Sequence, residues 1–396
     1  MKVFIVGTGT EGEASLTKRA GEVIQSAGIL IGAERMLMPF RELGKEMFCS
    51  YRPAEIADKI RNCGCDTAAV LMSGDCGFFS GAKKLLSLLE DIETELIPGI
   101  SSMQYFCSKT GVSYEKMKFI SLHGRESSIA VNVKLNECCF FLLGGKITAA
   151  GVCERLCRYG MPDARVCIGS DLGYPQERII SGTAEELRDT EVSGLSVMTA
   201  KNSSLSGHIP SCIDDSLFIR GNIPMTKSEV RCIAVSKLGI RKDSVVWDIG
   251  CGTGSVSVEA AYRCPDGAVF SFDKKPEAVS LTEENSRIFG CDNIFVYEGS
   301  CPEILKDAPE PDKVFIGGSS GKMKDIFDAV RSKTDTADIA VTAVSLETLQ
   351  EAVNYFECFG AVPEIVQIAV TRTHKAGNHT MLQAQNPVFI ISGRIS

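Results

Sequence analysis

The stretch "VVWDIGCGTGSVSVEAA", residues 245–261, decides how the second half of the chain is read. A short apolar run ends in Asp248 and passes into Gly250-Cys251-Gly252-Thr253-Gly254, after which apolar residues resume at helical spacing. Glycines let a backbone turn sharply and lie against a ligand, and the helix that follows presents free N–H groups. The next run, "VFSFDKKPEA", carries Asp273 about twenty residues past the loop, where an acid suits a ribose diol. A third, "YEGSCPEIL", brings Gly299-Ser300-Cys301 to the place where an adenine edge is met. Asp248 bears on the ligand's charge. So close to a pyrophosphate an acid would repel it, whereas a cationic amine or sulfonium would be attracted.

Outward from this loop, apolar runs alternate with amphipathic stretches: "SVVWDIG", "GAVFSFD", "NIFVYEG", "DKVFIGG" and "ADIAVTAV", closed by "PEIVQIAVTR" and "PVFIISGRI". The pattern predicts a doubly wound sheet with an antiparallel edge. Residues 226–239 predict a helix, with Thr226 as N-cap and Glu229 completing a capping box. Residues 203–216, "SSLSGHIPSCIDDS", lack periodicity and place a boundary between domains of residues 1–205 and 210–396. Ahead of it, "KVFIVG", "GILIGA", "TAAVLMSG" and "ETELIPG" alternate with helical stretches as βαβ units, and "KFISLHG", "CCFFLLGG", "ARVCIGSDLG" and "GLSVMTA" predict a second, smaller lobe.

The acid, three glycines and later acid resemble the class I S-adenosylmethionine methyltransferases. "GNIPMTKSEVR" (221–231), "FIGGSSGKMKDI" (315–326) and "NPVFIISG" narrow the resemblance to the corrin-pathway enzymes that methylate carbon 15 and remove an acetate carboxyl. The resemblance spans residues 210–396. It implies a Rossmann-like fold and a cofactor site lined by Thr226, Asp248, Gly250, Cys251, Gly252, Thr253, Gly254, Asp273, Gly299, Ser300 and Cys301.

The chain also opens on a glycine loop, Gly7-x-Gly9-x-x-Gly12 in "VFIVGTGTEGEASLT", residues 3–17. The letters fit a dinucleotide fingerprint, and Glu34 stands where a Rossmann unit carries its acid, so position alone leaves NAD open. "VLMSGDCGFFSGAKKL" (70–85), "LIPGISSMQYF" (96–106), "AERML" and "IGSDLGYPQERI" (168–179) resemble instead the tetrapyrrole (class III) methylases, over residues 1–203. That resemblance implies a two-lobed fold with its cofactor near Ser73, Gly74, Asp75, Phe78, Ser101 and Ser102, and with Gly7 and Gly9 shaping a substrate trough. Thr10, Glu11, Gly12 and Glu13 stand where the commoner pattern has Pro, Gly, Asp and Pro.

The order of the halves resembles the fused carbon-5, carbon-15 precorrin methyltransferases. It implies S-adenosylmethionine in both domains, methylation of a precorrin or cobalt-precorrin at carbons 5 and 15, and decarboxylation of the carbon-12 acetate, in cobalamin biosynthesis. A cytoplasmic homo-oligomer is the accompanying expectation. Such a substrate carries many carboxylates, so cations are expected at its pocket. The candidates are Lys227, Arg231, Lys322, Lys324, Arg372, His374 and Lys375.

Composition sets limits. The 396 residues suit two domains, and a net charge of −8 disfavours nucleic acid as partner. No apolar run is long enough to cross a bilayer. The 17 cysteines are odd in number and scattered, which predicts reduced buried thiols. Cys63, Cys65, Cys138 and Cys139 lack a matching partner spacing, so no metal site is expected. Two other readings stay open: a methyltransferase fused to a dinucleotide-binding enzyme, and a tetrapyrrole-binding regulator without turnover.

Overall fold

The computed structural model describes residues 1–123, 127–145, 147–192, 194–202 and 211–396. Residues 203–210 of the expected boundary segment lie outside them. The chain forms two compact units. Met1–Arg125, Cys138–Gly151 and Arg165–Ala200 make the first; Glu126–Glu137, Val152–Ala164 and Lys201–Ser396 make the second.

In the first unit, β1 (Lys2–Gly7), β2 (Ile29–Gly32), β3 (Glu46–Cys49), β4 (Thr67–Met72) and β5 (Glu93–Ile97) form a parallel sheet in the order β3-β2-β4-β1-β5. Both faces are covered at β1, β2 and β4, which is why these three strands read as apolar runs. Val3, Ile5, Ile29, Ile31 and Val70 pack on one side, and Phe4, Val6, Leu30 and Leu71 on the other. A second sheet has the order β6-β7-β10-β8-β9. Its strands are β6 (Lys118–Ser121), β7 (Cys138–Leu142), β8 (Arg165–Ser170), β9 (Arg178–Thr183) and β10 (Ser196–Lys201). The two-lobed expectation holds. Strands β3 and β9 are additions to it, both short and partly exposed.

The second unit is built on β11 (Val245–Ile249), β12 (Ala268–Asp273), β13 (Ile294–Glu298), β14 (Lys313–Ile316), β15 (Ala337–Ala343), β16 (Glu364–Ile368), β17 (Thr371–Ala376), β18 (His379–Ala384) and β19 (Val388–Ile395). Seven of them form one sheet, β13-β12-β11-β14-β15-β19-β16, in which β19 runs antiparallel to both its neighbours. The doubly wound sheet and its antiparallel edge are as expected. The apolar run "PEIVQIAVTR", however, breaks after Ile368, and β17 and β18 leave the sheet as a separate hairpin. Gly377 (φ 59°) and Asn378 close it as a two-residue turn.

Residues from ahead of the expected boundary complete this unit. The short helix Ala130–Leu135 starts on the carboxylate of Asp292, which accepts the N–H groups of Ile129 at 2.7 Å and Val131 at 3.1 Å. Asn132 donates to the Pro265 carbonyl at 2.9 Å, and Val131 packs with Tyr262, Cys264 and Cys291.

Two expectations are corrected. Cys212 and Cys232 are joined in a disulfide with 5.0 Å between their Cα atoms, because the helix Ser228–Lys237 turns Cys232 toward the start of the preceding loop. The other 15 cysteines are outside any disulfide. The capping box is absent as well. The helix begins at Ser228 with Lys227 as N-cap and no side-chain cap, and Glu229 is drawn instead to Arg372 at 2.6 Å.

Candidate functional site

The order of the seven-stranded sheet reverses direction between β11 and β14, and the turns leaving neighbouring strands part there. Crevices at such points, beyond the carboxyl ends of the strands, are where open α/β sheets take ligands. A cavity of about 430 Å³ lies there. Its floor and sides are Gly250, Cys251 and Gly252 after β11, Asp273 at the end of β12, Gly299, Ser300 and Cys301 after β13, and Gly317 and Gly318 after β14. Ile223, Pro224, Met225, Thr226 and Lys227 close another side.

The glycines are there because backbone needs the space. Gly250 has φ 76°, and a Cβ on it would lie 2.9 Å from the nitrogen and oxygen of Gly318. Gly252 (φ 58°) would meet the Pro224 carbonyl at 3.0 Å. Asp273 fixes the loop, accepting the Gly252 N–H at 3.1 Å and the Lys275 N–H at 3.0 Å. Each of its oxygens keeps a further lone pair for a ligand hydroxyl. The size of this cavity, its main-chain floor and the acid at its side fit an adenosyl cofactor.

Several expected contacts are elsewhere. Asp248 does not line the cavity. It lies fully buried beneath the loop, accepting from the Ser257 hydroxyl, which Ser271 contacts at 2.8 Å. Burial pushes its carboxyl up to about 7; the Ser257 bond opposes this and the Asp273 charge adds to it. Thr253 and Gly254 are also behind the wall. The Thr253 carbonyl accepts from Asn285, and Gly254 caps the next helix against Thr282.

Of the expected substrate cations, only Lys227 lines the cavity. Arg231 is 0% exposed, with its donors taken by Glu259, Asp215 and the carbonyls of Thr226 and Ile213. Lys322 reaches Ser300 and Glu303. Arg372 pairs with Glu229, and Lys375 on the hairpin donates to Thr380. Lys274 and Lys275, unselected from the sequence, do line the cavity. Their position directly after Asp273 was the available signal.

Burial pushes the Cys251 thiol well above its ordinary value and the Cys301 thiol up to about 12. Burial thus disfavours the reactive thiolate form of both. The chemistry this cavity supports is alignment of bound reactants.

The first unit holds its own cavity, of about 280 Å³, at the carboxyl ends of β1 and β4. Ser73, Gly74, Asp75, Phe78, Ser101 and Ser102 all line it, and so does Gly9. Gly9, expected at a substrate trough, thus lines the same cavity as the expected cofactor turns. Gly9 and Gly74 exchange two backbone hydrogen bonds, 3.1 and 3.0 Å, and belong to one rim. Gly7 does not line it; its backbone is pressed between Gly74 and Gly99, where a Cβ would sit 2.7 Å from each.

Ser101 caps the helix Ser102–Thr110 in a reciprocal box with Gln104. The Asp75 carboxylate accepts from Gly77 and Gly99 at 2.8 and 3.1 Å, tying two turns together. Thr10 Oγ1, on the cavity lining, is buried without a partner among the described residues, an opening for a ligand's polar group. Phe79, Tyr174 and Leu195 were not singled out from the sequence. They bring exposed apolar surface to the mouth.

Residues 218–394 match the family model of the precorrin methyltransferase domain, and residues 2–188 match that of the tetrapyrrole (corrin/porphyrin) methylases. Two curated relatives, from Pyrobaculum calidifontis and Saccharolobus solfataricus, are each described as a probable cobalt-precorrin-6B C(15)-methyltransferase (decarboxylating). They are 40% identical over 183 residues and 42% identical over 187, and each match covers 46% of this chain and 94% of the relative. A crystal structure described as precorrin-6Y C5,15-methyltransferase from Geobacter metallireducens is 38% identical, with a TM-score of 0.44, over 46% of this chain and 96% of that one.

Proposed function

This chain belongs to the precorrin methyltransferase family, and from that membership we propose that it is a bifunctional S-adenosylmethionine-dependent methyltransferase of corrin biosynthesis. The second unit methylates carbon 15 of a precorrin or cobalt-precorrin and releases the carbon-12 acetate carboxyl as carbon dioxide. The first unit methylates carbon 5. The second unit carries its activity with the helix Ala130–Leu135 as part of it, in the cytoplasm the chain is a homo-oligomer, and each unit binds its own cofactor.

The observation that carries the reading is the cavity at the β11/β14 reversal, floored by main chain and flanked by Asp273. When bound, the sulfonium cofactor supplies an activated methyl group. Gly250 and Gly252 let the cofactor lie against the backbone, and Asp273 accepts from its ribose. Met225, Thr226 and Val344 wall the space and hold the acceptor carbon in line. Lys227, Lys274 and Lys275 face the substrate's carboxylates. In the first unit, Thr10, Ser73, Asp75, Ser101 and Ser102 orient the second cofactor, and Phe79 and Tyr174 meet the macrocycle.

Incubation of the chain with S-adenosylmethionine and precorrin-6B, or its cobalt form, followed by mass spectrometry, tests the proposal. The expected product carries two additional methyl groups and lacks one carbon dioxide. No mass change with either substrate would refute it.

A further inference from the structure

The segment from Ile213 to Lys227 supplies one wall of the second unit's cavity, through Ile223, Pro224, Met225, Thr226 and Lys227. A single guanidinium holds both its ends. Arg231 donates to the Thr226 carbonyl at 2.7 Å and to the Ile213 carbonyl. Arg231 is in turn bound by Glu259 at 2.7 Å and Asp215 at 3.1 Å, and the Phe218 ring lies 4.9 Å from it. The Ile213 N–H donates to the same Glu259 carboxylate at 3.1 Å.

The disulfide brackets this arrangement from outside. Cys212 precedes Ile213, Cys232 follows Arg231, and the bond closes a ring across a sequence separation of 20. Cys212 is exposed and has φ 54°, a left-handed conformation that is costly for a residue with a side chain. A covalent tie at that point keeps the wall's first residue against Glu259 and Arg231. Without the tie, no covalent restraint holds Cys212 in the left-handed region beside Ile213.

We propose that Cys212–Cys232 is a redox modification site that sets the second unit's affinity for its methyl donor. The reductant is a dithiol. Its thiolate attacks one cysteine sulfur to form a mixed disulfide, and its second thiol then displaces that sulfur. Two electrons and two protons pass to the cysteines, and the dithiol leaves as a disulfide. The reduced chain has a looser wall and binds the donor more weakly. The inference rests on the donor assignment made above.

The test is calorimetric titration of the intact chain with S-adenosylhomocysteine, air-oxidised and after dithiothreitol. An Asp273→Ala chain identifies which binding belongs to the second unit. Reduction is expected to weaken the Asp273-dependent binding about tenfold, equivalent to about 1.4 kcal/mol. A Cys212→Ser, Cys232→Ser chain is expected to bind as the reduced chain does and to ignore dithiothreitol. Equal affinities in the two states would overturn the proposal. So would titration of all 17 thiols, in place of 15, in the denatured oxidised chain. Absence of Asp273-dependent binding in the oxidised chain would instead overturn the donor assignment, and this inference with it.

Discussion

An Asp248→Asn chain keeps an acceptor for the Ser257 hydroxyl and removes the most strongly perturbed carboxyl beneath the glycine loop. In the folded chain that carboxyl titrates at about 7, against an ordinary value of 3.8, because burial disfavours its charged form. A group raised in this way leaves stability intact below its unfolded value and withdraws it as pH climbs through the folded value. A tenfold difference in proton affinity between the folded and unfolded chains is worth about 1.4 kcal/mol, so between pH 5 and pH 8 the wild-type chain loses about 2 to 3 kcal/mol that asparagine does not. Urea unfolding followed by the single tryptophan, Trp247, reports the second unit at each pH. The pH-independent cost of an unpaired amide cancels when the two chains are compared across pH. The expected result is a stability difference that moves in favour of asparagine as pH rises. A difference that stays flat from pH 5 to pH 8 would refute the buried, proton-holding carboxyl.

Other substitutions probe the remaining parts. Asp273→Ala removes the acceptor for two backbone N–H groups and the proposed ribose contact, and is expected to weaken donor binding about 10- to 100-fold by calorimetry, about 1–3 kcal/mol. Gly250→Ala meets both a positive φ and the Gly318 backbone, so donor binding is expected to vanish while circular dichroism stays near native. Asp292→Ala leaves the N–H groups of Ile129 and Val131 without their acceptor in a buried setting. The second unit should lose about 2–4 kcal/mol in urea unfolding, and a loss below about 0.5 kcal/mol would count against that anchor. Ser101→Ala removes the cap beside the first unit's cavity and is expected to cost about 1 kcal/mol, read as a lowered melting temperature.

How far the sequence could be read follows from burial. Strands with both faces covered, such as β1, β4, β11 and β14, leave continuous apolar runs, and all were legible. The hairpin β17–β18 is exposed along most of its length, so its residues show no alternation, and from "TRTHKAGNH" only candidate cations were read. The Gly377-Asn378 turn was the one cue to it. Arg231 was misjudged for a different reason. Its partners Asp215 and Phe218 come from one segment and Glu259 from another, and only folding shows that a charged residue has been taken inside. Gly7 illustrates a third limit. The letters Gly7-x-Gly9 are equal in sequence, yet one glycine faces a cavity and its neighbour faces packed backbone.

Both cavities are lined in part by glycines at which a methyl group would not fit, Gly9 in the first and Gly250 in the second. The ligand-facing surface there is therefore written in the absence of side chains, and ordinary amino-acid exchange has nothing to exchange. Variation falls to the walls, where Lys274, Phe79 or Tyr174 can be replaced one at a time without disturbing the floor. Such a layout separates what is held from what is selected: a new substrate preference is reachable through side chains of this kind, while the glycine floor beneath the donor stays as it is.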